Sequence, residues 1–214
     1  MKDLSFYSDY YIDLSINHPP LNLETIFNNS NELSLEIGFG EGDFLIELAK
    51  YNLNLNFVGL EIKKSRFIKA IRQAHKLKLE NIKFIHMDAS INLLQIFNKY
   101  SFNKIYINFP DPWPKKRHKK HRIINKEFLN QVFEITNKNC YIEIASDHKE
   151  YIDSISSLFN DTRAYILKSK LVIFSKSSKL LRSTTKFERQ FINQRREIYY
   201  LSYIKYKDHN TWRI

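Results

Sequence analysis

The chain has 214 residues, 43% of them hydrophobic and 14% aromatic, enough for one α/β domain with a sizeable buried core. With 34 Lys and Arg against 23 Asp and Glu it carries a net charge of +11, which points to a polyanionic partner or to a Lys-rich composition. One cysteine, Cys140, excludes a disulfide framework and a Cys-based zinc site. The absence of a basic-then-apolar opening and of any apolar run near 18 residues makes a soluble cytoplasmic protein the expectation.

The first 32 residues show no clear periodicity, and Pro19–Pro20 suggests a loosely packed lead-in, so the domain is expected over residues 33–214. A strand at 33–39 (LSLEIGF) is followed by a helix at 43–51, a strand at 56–61 (NFVGLE) and a helix at 63–79 with apolar residues at helical spacing. A third strand at 82–87 leads into a short helix at 91–99, and a fourth at 104–109 ends in prolines. A helix at 126–137 and a strand at 140–145 complete the regular part. Beyond it the pattern is strand-rich at 163–174, helical at 187–198 and strand-like at 199–206. Short apolar runs alternating with amphipathic helices predict a doubly wound, mostly parallel sheet.

Glycine and proline are scarce, and they cluster. Three of the four glycines are Gly38, Gly40 and Gly42, and three of the five prolines are Pro110, Pro112 and Pro114. The sequence GFGEG between a strand and a helix would expose backbone amides to a ligand. A dinucleotide fingerprint needs G-x-G-x-x-G; here the spacing is G-x-G-x-G, and Glu41 and Asp43 would repel a pyrophosphate. The strand ends carry further acids: Glu36, Glu61, Asp88, Asp111 and Asp147 follow five successive strands. Open α/β sheets bind ligands at that rim, although Asp88 and Asp147 would also serve as helix caps. A rim of carboxylates suits S-adenosylmethionine, which is cationic and lacks phosphate. Glu61 is placed for its ribose hydroxyls, Asp88 for the adenine amine and Glu36 for the methionine end.

The segments LEIGFGEGDFLIELA, FVGLEIKKSRFIKAI, INFPDPWPKKRHKKHR and STTKFERQF resemble, in order, the motifs of the bacterial tRNA (guanine-N7-)-methyltransferases. FPDPWPKKRH is the most specific of them, and the match spans residues 33–191. The resemblance implies a seven-stranded class I methyltransferase sheet, and methyl transfer from S-adenosylmethionine to a variable-loop guanine, position 46 of tRNA. It implies cofactor carboxylates at Glu36, Glu61, Asp88 and Asp111, with Asp111 also catalytic. Substrate contacts fall on Lys115, Asp147, Thr185, Lys186, Phe187 and Glu188, and RNA contacts on Arg117, His118, Lys119, Lys120, His121 and Arg122. Phe187 stands where the family usually has Tyr, so no phenolic hydroxyl can act there.

Guanine N7 bears an in-plane lone pair and no proton, so alignment and electrostatics rather than a strong base carry such a reaction. Asp111 is expected to accept from the guanine N1–H and N2 amine, with Asp147 and Glu188 sharing that edge and Thr185 orienting the base. The run KKRHKKHR at 115–122 abuts this site and would meet phosphate, with Trp113 as a stacking surface. No metal, membrane contact or obligate protein partner is expected, and a monomer and a homodimer are both compatible with the sequence. Three rivals stay open: a non-catalytic RNA-binding protein on this fold, a methyltransferase for protein or small molecules, and a nicotinamide oxidoreductase.

Overall fold

The computed structural model describes residues 4–90, 92–173 and 185–206, apart from the side chains of Lys186 and Phe187. Seven strands form one sheet in the order β3-β2-β1-β4-β5-β7-β6. They are β1 (Leu33–Ile37), β2 (Asn56–Glu61), β3 (Ile82–His86), β4 (Phe102–Asn108), β5 (Thr136–Ser146), β6 (Tyr165–Ile173) and β7 (Ile198–Lys205). The first five strands run parallel, while β7 is antiparallel to both β5 and β6. The strand order reverses between β1 and β4, and at such a crossover the connecting loops diverge and open a crevice above the strand ends.

Among the described residues, seven α-helices cover both faces: α1 (Leu23–Phe27), α2 (Asp43–Tyr51), α3 (Lys64–Lys76), α4 (Leu93–Ile96), α5 (Lys126–Ile135), α6 (Lys149–Thr162) and α7 (Lys186–Asn193). Helices α4, α5 and α6 pack on the face carrying Leu35, Ile37, Ile105, Ile107, Ile142 and Ile144. Helices α2 and α3 cover Phe57, Ile82 and Phe84 on the other face, and on the same side Phe191 and Ile192 of α7 pack on Ala145, Ile198 and Tyr200. Alternation along each strand sends Leu35 and Ile37 to one face and Glu36 to the other.

Two expectations change. The N-terminal segment is not loosely packed: Ile12, Leu21, Leu23 and Phe27 are buried in the main core. Ile12 N donates to Phe84 O at 2.9 Å and Leu21 N to Ile96 O at 2.8 Å, pinning the segment to β3 and α4. Leu23 and Phe27 share one face of the five-residue helix α1, while Ile12 and Leu21 are isolated anchors, a pattern too short to stand out in the sequence. The strand at the fifth position is also longer than its apolar stretch, because Thr136 pairs with Phe102 of β4 and the register then shifts before Tyr141 pairs with Lys104. Lys205, fully buried at the end of β7, donates to Phe133 O at 2.7 Å and Thr136 O at 2.6 Å, satisfying carbonyls at the C-terminal end of α5.

Candidate functional site

The glycine loop leaves β1 with Gly38, Gly40 and Gly42 at φ of 75°, 62° and 86°, left-handed values that favour residues without a Cβ. A Cβ at Gly38 or Gly40 would meet nothing within 4 Å, so these two positions border open space. At Gly42 it would lie 2.8 Å from the Ala70 Cβ, where α2 starts against α3. The fourth glycine serves the same loop. A Cβ on Gly59 would come within 2.6 Å of the Phe39 ring, which packs down onto β2 at that point.

Glu61, 4% exposed, ties the loop to β2: it accepts from Gly40 N at 2.9 Å and from Lys63 N at 2.7 Å. A carboxylate has about four lone-pair sites, so two bonds leave acceptor capacity for a diol. Glu36, 1% exposed, accepts from Asn108 Nδ2 at 2.9 Å across the β1–β4 switch. Asp88 is half-buried and accepts from Ser90 N at 2.8 Å, ordering the turn after β3. Neither acid that doubled as a cap candidate caps a helix. Asn92 caps α4, and His148, through Nδ1, caps α6. Asp147 instead pairs with Arg196, whose guanidinium lies over the Phe191 ring.

Above these strand ends lies a cleft in two lobes. The larger, about 470 Å3, is lined by Glu61, Asp88, Asp111, Trp113, His121 and Asp147 among others. The smaller, about 240 Å3, includes Glu36, Gly40, Asp43 and Thr185. Gly38, Arg66, Asn108 and Phe109 line both. The larger lobe falls in the range that takes a nucleoside-sized ligand, Gly38, shared with the smaller lobe, leaves room for backbone contact, and its acids suit a cationic group. The residues present therefore fit S-adenosylmethionine.

Asp111 is exposed, on a loop whose neighbours Phe109 and Trp113 have φ of 51° and 41°. Left-handed backbone at an aromatic residue costs roughly 1–2 kcal/mol, so the surroundings must hold this loop. Phe109 N donates to Ala145 O at 2.8 Å, and the Phe109 ring meets Phe191 of α7 at 5.4 Å. A 3-10 turn, Lys116–His121, follows. His118 and His121 contact the Trp113 ring at centroid distances of 5.8 and 5.4 Å. Lys115, Lys116, Arg117 and Lys120 are exposed, with no carboxylate partner among the described residues. Lys119 pairs with Glu150 at 2.7 Å.

Two sequence-predicted contacts are placed differently. Arg122 does not face outward with the run; it is 8% exposed and its guanidinium grips Glu150 of α6. Glu188 is fully buried in α7 and lines neither lobe, whereas Thr185, which caps α7 by accepting from Glu188 N at 2.9 Å, lines the smaller one. The expectations for the Lys186 and Phe187 side chains lie outside the described residues. Sequence reasoning missed Asn108, Arg66 and Arg196. Asn108 alone had a signal, as a polar residue closing an apolar strand directly before the prolines.

Among the described residues no group of three His, Cys, Asp or Glu could hold a metal, and no helix is long and apolar enough to cross a membrane. Residues 30–201 match a family described as a putative methyltransferase. A tRNA (guanine-N(7)-)-methyltransferase of Buchnera aphidicola subsp. Baizongia pistaciae is 39% identical over 181 residues, covering 85% of this chain and 74% of that one. The protein of the same name from Thermotoga maritima is 31% identical over 91% of this chain and 61% of its own length. Among solved structures, one titled as an antibiotic-related methyltransferase superposes with a TM-score of 0.66 at 18% identity, over 92% of this chain and 98% of that one. That likeness concerns the fold.

Proposed function

The chain belongs to the family of bacterial tRNA (guanine-N7-)-methyltransferases, and on that premise we propose that it methylates N7 of a variable-loop guanine, position 46 of tRNA, with S-adenosylmethionine as donor. The observation that carries the reading is the larger lobe. It gathers the carboxylates of Glu61, Asp88, Asp111 and Asp147 and opens beside a turn of exposed cations. A cationic small ligand and a polyanionic one are thus accommodated at adjoining places.

When bound, S-adenosylmethionine supplies an electrophilic methyl carbon on a positively charged sulfur. Glu61 holds the ribose diol with its remaining lone pairs, Asp88 accepts from the adenine amine, and Glu36, fixed by Asn108, faces the methionine end. The donor would supply its methyl to the N7 lone pair with the C–S electrons returning to sulfur, so no proton would have to move and the residues here have to align and neutralise rather than act as a base. Positive charge passes into the guanine ring. Asp111, accepting from N1–H and the N2 amine, stabilises that charge as it develops and excludes adenine, which presents no matching donors. Asp147 and the N-terminal turn of α7 at Thr185 border the base; Glu188 supports that turn from inside. Lys115, Lys116, Arg117 and Lys120 meet tRNA phosphates, with the Trp113–His118–His121 group beside them. Residues 33–214 form the methyltransferase domain, and residues 1–32 are its lead-in. The protein acts in the cytoplasm, where its tRNA substrate resides.

A non-catalytic RNA-binding protein would leave the glycine cradle and the acid rim without a task. Labelled methyl transfer to a tRNA transcript tests the proposal, with a guanine-to-adenine change at the variable-loop position as control. Incorporation into the first transcript and none into the second is expected. Absence of transfer to both, or transfer at equal rates, overturns it. S-adenosylmethionine at 100 times its Kd should also add about 2.7 kcal/mol of thermal stability.

A further inference from the structure

Arg122 closes the basic run yet behaves unlike the rest of it. Its Nε donates to Pro112 O at 2.8 Å. Its terminal nitrogens meet both Glu150 oxygens, at 3.3 and 3.1 Å, and Ser154 Oγ at 3.3 Å. The guanidinium carbon stands 4.5 Å from the centre of the Tyr151 ring. Tyr151 is itself fully buried, and its hydroxyl accepts from Ile124 N at 3.3 Å. One side chain thus spans from the first two turns of α6 to the proline loop.

The loop needs such a strut. Three of its five residues between Pro110 and Pro114 lack an amide hydrogen, so the backbone cannot hydrogen-bond itself into place. Among the described residues, the bond from Arg122 is the one hydrogen bond that reaches residues 110–114. It ends on the carbonyl directly after Asp111 and directly before Trp113, whose backbone is left-handed. A planar guanidinium can bind a carboxylate through two nitrogens while a third donates elsewhere; a lysine ammonium cannot reproduce that fork.

We infer that Arg122 is a positioning residue for methyl transfer: anchored on Glu150 and Tyr151, it holds Asp111 at the cleft through the Pro112 carbonyl. It makes no RNA phosphate contact. The phosphate-facing cations are those that stay exposed. This rests on the reading of Asp111 as the carboxylate that meets guanine. If alignment is the catalytic task, a loop displaced by about an ångström can cost on the order of a hundredfold in rate.

The test uses the full chain carrying Arg122→Lys, Glu150→Gln, these two together, Arg122→Gln, or Asp111→Asn, with kcat, both KM values and the salt dependence of tRNA binding measured for each. Glu150 is exposed, so its variant probes the tether without threatening the fold. Arg122→Lys is expected to lower kcat on the order of tenfold to a hundredfold, and Glu150→Gln to lower it several-fold. The double variant should lose less than the two combined, because they act on one contact. The S-adenosylmethionine KM and the salt slope should match wild type. Lys116→Ala should show the opposite signature, a salt slope smaller by about one.

Wild-type kcat per folded molecule in both Arg122→Lys and Glu150→Gln overturns the inference, as does a salt slope lowered by about one in Arg122→Gln, which removes the charge. If Asp111→Asn turns over normally, the functional reading itself falls. If Asp111→Asn is inactive while the Arg122 and Glu150 variants are normal, only the inference falls.

Discussion

On the β1–β2 side of the cleft, Glu61 sits 4% exposed at the end of a fully buried strand, with two backbone amides on its carboxylate. On the β4 side, Asp111 stands exposed on a loop that carries three prolines and, among the described residues, receives one hydrogen bond, from Arg122. The first acid is part of the folded sheet; the second is presented by a strained loop and a strut. Donor binding and folding should therefore be inseparable on one side, while on the other turnover should fail without the fold failing.

Asp111→Asn tests the second half of that contrast and should have the largest effect. Turnover is expected to fall on the order of 10²–10³-fold, the range for removing one group that stabilises developing charge, with thermal stability unchanged. Turnover near wild type in single-turnover assays would break the contrast. Glu61→Gln comes next and should damage both properties. It replaces an acceptor of two amide bonds with a group that must offer one of them a donor, costing about 1.5–3 kcal/mol of stability. Calorimetry should also find weaker S-adenosylmethionine binding; weak binding with full stability would show that the acid is not part of the sheet's own bonding.

Gly59→Ala should cost about 1–3 kcal/mol of stability in a denaturant titration, since its Cβ would press at 2.6 Å on the Phe39 ring of the glycine loop. Cys140 offers the smallest and most local probe. Burial pushes its thiol up to about 12, and it lies in the first half of β5, away from the strand ends that line the cleft. At pH 8 a thiol reagent should leave native Cys140 unlabelled. Labelling should speed up in Gly59→Ala and stay at the wild-type rate in Asp111→Asn. Equal labelling in the two variants would show that the sheet does not distinguish them.

The tether that holds the exposed side is stable to pH across the working range. Hydrogen bonds from Arg122 and then Lys119 bring the Glu150 carboxyl down to about 2. A depressed folded value means the contribution is fully present above the ordinary carboxylate range and is lost only as pH falls through about 2. Because N7 also carries no proton, kcat is expected to stay flat from about pH 6 to 9, measured by the same methyl-transfer assay.

The same contrast governs what could be read from the chain. Strands β1 to β4 and helices α2, α3 and α5 lie close to their expected positions, because each is a continuous apolar or amphipathic pattern. Glu36, Glu61 and Asp88 were legible for the same reason, since an acid at the end of an apolar strand has its place set by the strand. What escaped depends on distance in space rather than in sequence. Arg122 reaches Glu150 across 28 positions and Asn108 reaches Glu36 across 72, and no local pattern distinguishes a cation turned inward from its exposed neighbours. Arg196 escaped too, because its partner Asp147 lies on another element. The inward turn of Arg122 divides KKRHKKHR into a displayed part and a structural end.

The most direct test of the central claim replaces the variable-loop guanine with 7-deazaguanine, in which a C–H stands where N7 carries its lone pair. Base pairing, phosphates and the N1–H and N2 donors that Asp111 would meet are all retained. The account predicts that this tRNA binds with wild-type affinity and salt dependence and accepts no labelled methyl group. Methyl incorporation at the wild-type rate would contradict it.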